Sequence, residues 1–434
     1  MGRVAHRSVA RRAHAVLSRI AGGRLAALPV TVRFWDGSEL AAGAAEPAGV
    51  LHVRRAAAGY LVREPNQLGL ARAYIAGALH VDGDLEPLLD LRHRLRGVPP
   101  VPLGQRAHLL AEVIRAAGPT ALRTAAPAAE FRGRGRLHSA ARDREAVRHH
   151  YDVSNAFYRL LLGPSLVYSC AYFATPDDDL ETAQERKLEL ICQKLRLAPG
   201  DRLLDLGCGW GSLIIHAARH HGVRAVGVTL SEPQAALARA RIRDAGLSDV
   251  CEVRVADYRA IDDEPYDKIA SVGMYEHVGA AQLDAYAATI ARLLRPGGLA
   301  LNHGISRLYS HGGGRKGFVN RFVFPDGELP PLADVVAPLQ RAGLEPRDVE
   351  SLREHYALTL RRWLANLEEH RAQALAEIGA ERARIWRLYM TGAALGFEDG
   401  DLSVYQVVVA RAGARHGLPL QRPALRPQDA PTRG

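Results

Sequence analysis

The chain has 434 residues, 47% of them hydrophobic but only 6% aromatic, and its 57 basic residues exceed its 47 acidic ones for a net charge of +10. That length implies two or three domains with Ala/Leu/Val cores. The absence of a run of eighteen apolar residues or of an uninterrupted apolar N-terminal segment argues against a membrane span and a secretory leader, and predicts a cytoplasmic protein. The four cysteines (Cys170, Cys192, Cys208, Cys251) share no CxxC spacing, so neither a disulfide framework nor a zinc site is expected, and no metal is assigned. The basic excess bears on anionic partners rather than on the fold: nucleic acid, phosphoryl substrates or an anionic membrane.

Residues 1–97 read as a small α+β domain. Apolar alternation in Val30-Thr31-Val32-Arg33-Phe34-Trp35 predicts a strand that ends at the turn Asp36-Gly37-Ser38. Val50-Leu51-His52-Val53 predicts a second strand, and Leu68 to Tyr74 a helix. Residues 98–148 form a connector, helical and then strongly basic, with the run Phe131-Arg132-Gly133-Arg134-Gly135-Arg136. Such a run cannot bury a core and is expected to be a mobile, solvated linker.

Between residues 149 and 413 strands and helices alternate. Strands are predicted at Arg202–Leu206, Ala225–Leu230, Cys251–Ala256, Lys268–Val272 and Leu299–His303, with helices at Pro233–Ala245 and Ala280–Leu294 among them. The alternation predicts an α/β fold with a doubly wound, mainly parallel sheet that binds ligands at the carboxyl ends of its strands. After Phe318 helices are expected to cap that edge, and a strand returns at Tyr405–Ala410. Residues 414–434, rich in Pro, Arg and Gln, are expected to be disordered.

The run Leu203-Leu204-Asp205-Leu206-Gly207-Cys208-Gly209-Trp210-Gly211 is the most informative stretch. A buried strand enters three alternating glycines, which turn the chain sharply and let backbone approach a ligand with no Cβ in the way. Asp205 at the strand end can hold a polar or cationic group. The spacing is G-x-G-x-G, not the dinucleotide G-x-G-x-x-G, and no Lys-Ser/Thr pair makes a P-loop; this favours S-adenosylmethionine over NAD or ATP.

Four further segments fall where strand ends or lids should lie. They are His149–Asn155 with Tyr168-Ser169-Cys170-Ala171-Tyr172-Phe173; Gly227–Gln234; Ser271–Gly279, reading SVGMYEHVG; and Asn302-His303-Gly304-Ile305 with His355-Tyr356 downstream. Together with LDLGCGWG these resemble the cyclopropane-fatty-acyl-phospholipid synthase family, related to the mycolic acid cyclopropane synthases, over about His149 to Arg411. The N-terminal unit is similar to the extra domain of longer, phospholipid-acting members.

The resemblance implies a Rossmann-like class I methyltransferase fold with a helical cap, S-adenosylmethionine as donor, and a cis double bond of a phospholipid acyl chain as acceptor. It further implies bound bicarbonate as the base that deprotonates a carbocation, held by Glu276, His303, Tyr356, the backbone of Ile305 and the Cys170 segment. For the cofactor it implies Tyr168, Ser169, Asp205, Gly207, Gly209, Trp210 and Gly211 at the methionine end. Thr229, Leu230, Ser231 and Gln234 would hold the ribose, with Asp257 and Tyr258 by the adenine. The second strand ends in Thr-Leu-Ser rather than the acid many methyltransferases use, in agreement with this family. Some relatives carry a cysteine where this chain has Ala393, so no cysteine nucleophile is available there. The implied partners are unsaturated phospholipids of an anionic membrane surface, met peripherally at the inner face of the cell membrane, with a homodimer as a further assembly and no nucleic acid.

Each residue also has a plainer reading. Glu276 equally suits a helix N-terminus, His303 a satisfied structural histidine, Cys170 a small buried residue and Tyr356 a helical core position. His277 is left out of the site. An RNA methyltransferase is disfavoured because N-P-P-Y, D-P-P-Y, paired catalytic cysteines and RNA-binding signatures are absent. A methylene- or methyl-branching enzyme of the same family remains open, and a non-enzymatic lipid carrier leaves the cofactor motifs unexplained.

Overall fold

The computed structural model describes residues 8–21, 28–43, 46–94, 103–133, 135–151, 153–308 and 317–420. These divide into two compact units: described residues within 8–132, 317–323 and 378–395, and described residues within 133–308, 324–377 and 396–420.

The first unit begins with α1 (Val9–Ala21), β1 (Thr31–Phe34), β2 (Glu39–Leu40) and β3 (Gly49–Val53). It continues through α2 (Ala57–Arg63), α3 (Gln67–Ile75), β4 (Leu79–Gly83), α4 (Glu86–Arg94) and α5 (Leu103–Ala117). Its sheet runs β2-β1-β3-β4, with β1 and β3 parallel. The turn between β1 and β2 forms where expected: Ser38 Oγ donates to Asp36 Oδ1 at 2.6 Å, and Gly37 adopts φ 79°. Asn66 caps α3 by accepting from the amides of Leu68 and Gly69. β4, absent from the sequence reading, completes the sheet by pairing antiparallel with β3.

The second unit opens with α6 (Ala140–Tyr151), α7 (Asn155–Leu162) and α8 (Leu180–Leu195). The alternating part follows: β5 (Arg202–Leu206), α9 (Ser212–His221), β6 (Arg224–Thr229), α10 (Glu232–Asp244), β7 (Cys251–Val255) and β8 (Tyr266–Val272). Next come α11 (Tyr275–Val278), α12 (Leu283–Leu293), β9 (Leu294–Arg307), α13 (Phe318–Phe322, grouped with the first unit), α14 (Leu332–Arg341) and β10 (Leu344–Ser351). The chain ends with α15 (Arg353–Glu369), α16 (Arg371–Glu398, broken at Gly379, its residues 378–395 grouped with the first unit) and β11 (Leu402–Arg411). The seven-stranded order β10-β11-β9-β8-β5-β6-β7 is parallel from β9 to β7, with antiparallel β11 and β10 on one edge. Leu203, Leu204 and Leu206 of β5 are fully buried, as a central parallel strand covered on both faces requires. Side chains of α8, α9 and α10 cover one face, and those of α12 and α14 the other.

Three expectations change. Residues expected in helix after Phe318 include β10, whose sequence LEPRDVES has little apolar signal because it is an edge strand with Pro346 at a register shift. The helix expected from Ala280 is a short 3-10 turn followed by α12, and it yields to β9 at Leu294. The basic connector is not simply solvated. Phe131 is buried and its amide donates to Arg321 O at 2.8 Å; α6 takes up residues 140–151; and Arg142 forms a fork with Asp326 at 2.5 and 2.9 Å. Arg134 and residues 421–434 lie outside the described residues, and no described helix is long and apolar enough to cross a membrane.

Candidate active site

A cleft lies at the carboxyl ends of β5, β6 and β8, where a doubly wound sheet presents its ligand site. The glycine turn forms its floor. Gly207 adopts φ 85°, and a Cβ there would meet Met274 Sδ at 2.7 Å; Gly209 adopts φ 53°, and a Cβ would enter open space. One glycine thus permits close packing and the other close approach to an occupant. Gly211, expected at the methionine end, does not line the cleft and instead begins α9 as its N-cap.

Asp205 lines the cleft almost fully buried. Burial raises its pKa to about 7 against the opposing pull of the Lys187 ammonium, and its Oδ1 has no partner. Lys187 itself is buried, which lowers its pKa to about 8, and its Nζ donates to Ser169 Oγ at 3.0 Å. Gln184, one turn earlier on α8, donates to Ser169 O at 2.9 Å, so two polar residues of one helix hold the Tyr168–Ser169 segment against the cleft. Lys187 and Gln184 escaped the sequence reading. Their signal was polarity on an apolar stripe: Ala183, Leu188, Ile191 and Leu195 of the same helix are buried around them.

At the other end, Thr229, Leu230, Gln234, Asp257 and Tyr258 reach the cleft. Thr229 Oγ1 donates to Gln234 Oε1 at 2.9 Å, while Ser231, absent from the wall, caps α10 by accepting the Gln234 amide. Burial opposes ionisation of Asp257, but bonds from the Arg259 amide and guanidinium outweigh it and lower its pKa. The same guanidinium reaches Asp143 of α6 at 2.9 Å, which brings a residue of the expected linker into the wall.

Glu276, His303, Ile305, Cys170 and Tyr356 do not line this cleft; Glu276 sits on α11 at the end of β8 and His303 on the neighbouring strand β9, two residues before Ile305. Glu276 is buried, which raises its pKa to about 7; its Oε1 accepts the Ile305 amide at 2.7 Å and its Oε2 has no partner. The Ile305 N–H therefore serves Glu276 here. His303 is held near pKa 3 by burial and then by the ammonium groups of Lys187 and Lys194, so it is neutral. The Gln406 amide nitrogen lies 3.2 Å from His303 Nδ1; since that nitrogen donates, the ring proton belongs on Nε2, which is buried without a partner. Glu276 thus keeps an unsatisfied buried acceptor and His303 an unsatisfied buried donor, the two kinds of group that a small protonated oxyanion would require.

Cys170 is fully buried, burial pushes its thiol pKa well up, and Sγ donates to Ala171 O at 3.2 Å and Leu352 O at 3.6 Å. It is no nucleophile. Leu352 O also accepts the Tyr356 amide, which joins the two segments. Tyr356 is buried within a continuous aromatic row: Trp210 to Tyr158 (4.8 Å), Tyr158 to Tyr168 (5.8 Å), Tyr168 to Trp363 (5.2 Å), Trp363 to Tyr356 (6.0 Å) and Tyr356 to Phe397 (4.7 Å). Such ring faces stabilise a cation in a dry site. His277 lines the cleft and is neutral, burial lowering its pKa to about 4.

The residues fit S-adenosylmethionine: the buried Asp205 carboxylate, with Oδ1 unpartnered, would take its cationic end, and the Cβ-free turn at Gly209 would leave room for it. The family model for mycolic acid cyclopropane synthetase matches residues 138–407. Over 377 residues the chain is 43% identical to a protein of Mycobacterium tuberculosis named probable fatty acid methyltransferase, covering 83% of this chain and 87% of that one. It is 34% identical to the cyclopropane-fatty-acyl-phospholipid synthase of Escherichia coli K12, over 63% of this chain and 69% of that one. A mycolic acid cyclopropane synthase solved with SAH and CTAB is similar at TM-score 0.58 and 35% identity, over 62% of this chain and 98% of that one.

Proposed function

The chain belongs to the mycolic acid cyclopropane synthetase family and is an S-adenosylmethionine-dependent methyltransferase of the cyclopropane-synthase type, and from that premise we propose that it closes a cyclopropane ring on the cis double bond of an unsaturated phospholipid acyl chain. The observation that supports the reading is that two buried polar atoms, Glu276 Oε2 and His303 Nε2, are each left without a partner.

An alkene is a weak nucleophile, and its alkylation leaves a carbocation that must be shielded from water and relieved of one proton. S-adenosylmethionine supplies the electrophilic methyl group. Asp205, Lys187 and the Ser169 segment orient the donor end of the cleft, and the aromatic row from Trp210 to Phe397 excludes water and faces the cation. Bicarbonate held between Glu276 and His303, with Tyr356 and the Cys170 segment nearby, would supply the base. Ile305 contributes by fixing the Glu276 carboxylate, so that Oε2 alone is offered. A neutral His303 donates one hydrogen bond without adding a competing positive charge.

Lipid access would be peripheral. Arg136, Arg144 and Arg148 are exposed in the second unit and Arg132 in the first, whereas Arg142 is occupied by Asp326. Near an anionic leaflet each basic residue contributes roughly 1 kcal/mol, screened beyond about 8 Å at physiological salt. A second reading is methyl or methylene branching of the chain, which is also compatible with the 43% identical relative's name, probable fatty acid methyltransferase. Incubating the protein with S-adenosylmethionine and mono-unsaturated phospholipid vesicles tests the proposal: the acyl chain should gain one CH2 with loss of its alkene signal. A retained alkene supports branching, and an unaltered lipid refutes both.

A further inference from the structure

We infer that the second unit carries a site for a divalent transition metal of the zinc type, between α8 and α9, with Cys192, His216 and His221 as its protein ligands. Cys192 Sγ and one ring nitrogen from each histidine lie within 4.8 Å of one another. In a tetrahedral shell with metal–sulfur near 2.3 Å and metal–nitrogen near 2.1 Å, neighbouring ligand atoms stand about 3.3–3.7 Å apart. Small side-chain rotations therefore bring all three onto one ion.

The two histidines are already convergent. His216 Nε2 lies 3.1 Å and His221 Nε2 2.9 Å from the same oxygen, Glu189 Oε2, while Gln193 Nε2 donates to the other oxygen at 2.9 Å. A carboxylate that fixes ring orientation, itself held by a further hydrogen bond, is the usual outer support of histidine ligands. A Glu–His–His hydrogen-bond cluster needs no thiol beside it, yet Cys192 is fully buried next to the two rings. The histidine side chains are 15% and 19% exposed, which opens a route from solvent to the thiol.

The donor set is one sulfur and two imidazoles, with a position left for water. Thiolate with imidazole selects zinc or cobalt over magnesium or calcium, which prefer oxygen. On binding, the Cys192 thiol gives its proton to solvent and each imidazole keeps its proton on the nitrogen that does not ligate; nothing is oxidised or reduced. The place in the fold sets the role. α9 leaves the carboxyl end of β5 and returns toward the amino end of β6, so its last turn, with His221, lies away from the cleft. The ion would tie α8 to α9 and add stability by mass action, without taking part in methyl transfer. Sequence spacing hid the site because Cys192 lies on one helix and both histidines on the next.

The test uses the full chain, stripped with chelator and titrated with Co(II) alone. A near-ultraviolet thiolate-to-cobalt band and visible tetrahedral bands should appear, saturate at one ion per chain and vanish when Zn(II) is added. Cys192→Ala, a mild change at an apolar core position, should abolish the thiolate band. His221→Asn, at a partly exposed position, should weaken binding at least about tenfold and decides the matter if the cysteine variant fails to fold. The absence of a thiolate band in the wild type, or binding unchanged in His221→Asn, would overturn the proposal.

Discussion

The Glu276 carboxylate takes the backbone N–H of Ile305 at 2.7 Å with one oxygen and leaves the other buried and unshared. The contact joins α11, at the end of β8, to the neighbouring strand β9, two residues beyond His303. In the proposed reaction the free oxygen would be the acceptor offered to the base. Glu276→Gln keeps the shape and removes the charge. We expect turnover to fall about 10²-fold, comparable to losing one preorganised electrostatic group, with S-adenosylmethionine affinity by calorimetry nearly unchanged. Near-normal turnover would place the base elsewhere.

The raised pKa of Glu276, about 7, gives opposite pH trends for stability and activity. Burial favours the protonated acid, so its contribution to stability is complete below the ordinary value of 4.5 and is lost as pH rises through about 7. At about 1.4 kcal/mol per pKa unit, the loss amounts to about 3 kcal/mol. Activity should rise over the same window as the charge forms. Denaturant melts from pH 5 to 8 should show the wild type losing stability relative to Glu276→Gln; parallel curves would contradict this. Asp205, also raised to about 7, remains in both proteins and cancels in the comparison.

Gly209→Ala puts a methyl group into the open space of the cleft at φ 53°. The left-handed backbone costs roughly 1–2 kcal/mol with a Cβ, which a folded domain of this size tolerates. Calorimetry on the folded variant should show S-adenosylmethionine binding weakened at least tenfold. Unchanged affinity would mean that the ligand does not lie over the turn.

Lys187→Met keeps an unbranched apolar stem one atom shorter and removes the ammonium beside Asp205 and Ser169. Since Lys187 lowers the Asp205 pKa, its loss should raise that pKa and leave Asp205 protonated at neutral pH. S-adenosylmethionine affinity should fall at pH 7 and partly recover near pH 9. A pH-independent loss would show that Lys187 acts through packing alone.

Replacing Arg136, Arg144 and Arg148 with serine should impair activity on anionic vesicles more than on detergent-dispersed lipid, and should flatten the salt dependence of vesicle binding. Equal losses on both substrates would give these arginines another role.

The alternating strands were legible because parallel strands buried on both faces are written as apolar runs, and β5 through β8 fall within two residues of the expected starts. Most of the cleft wall was legible for a related reason, since its glycines and strand-end acids sit in contiguous runs, although Gly211 and Ser231 of those runs cap helices instead. What stayed hidden lacked such a run. β10 is an edge strand with a proline and charges, and Lys187 is a lone polar residue on an apolar stripe. Asp143 reaches the cleft from a segment whose arginines suggested only solvation, and its place depends on a partner, Arg259, more than a hundred residues away.

The most direct measurement follows the carbon that is transferred. With S-adenosylmethionine labelled with 13C in its methyl group and mono-unsaturated phospholipid vesicles, the account predicts that the label appears in the product NMR spectrum as a ring CH2 coupled to two ring CH protons. A label found in an olefinic methylene or a methyl branch would contradict ring closure.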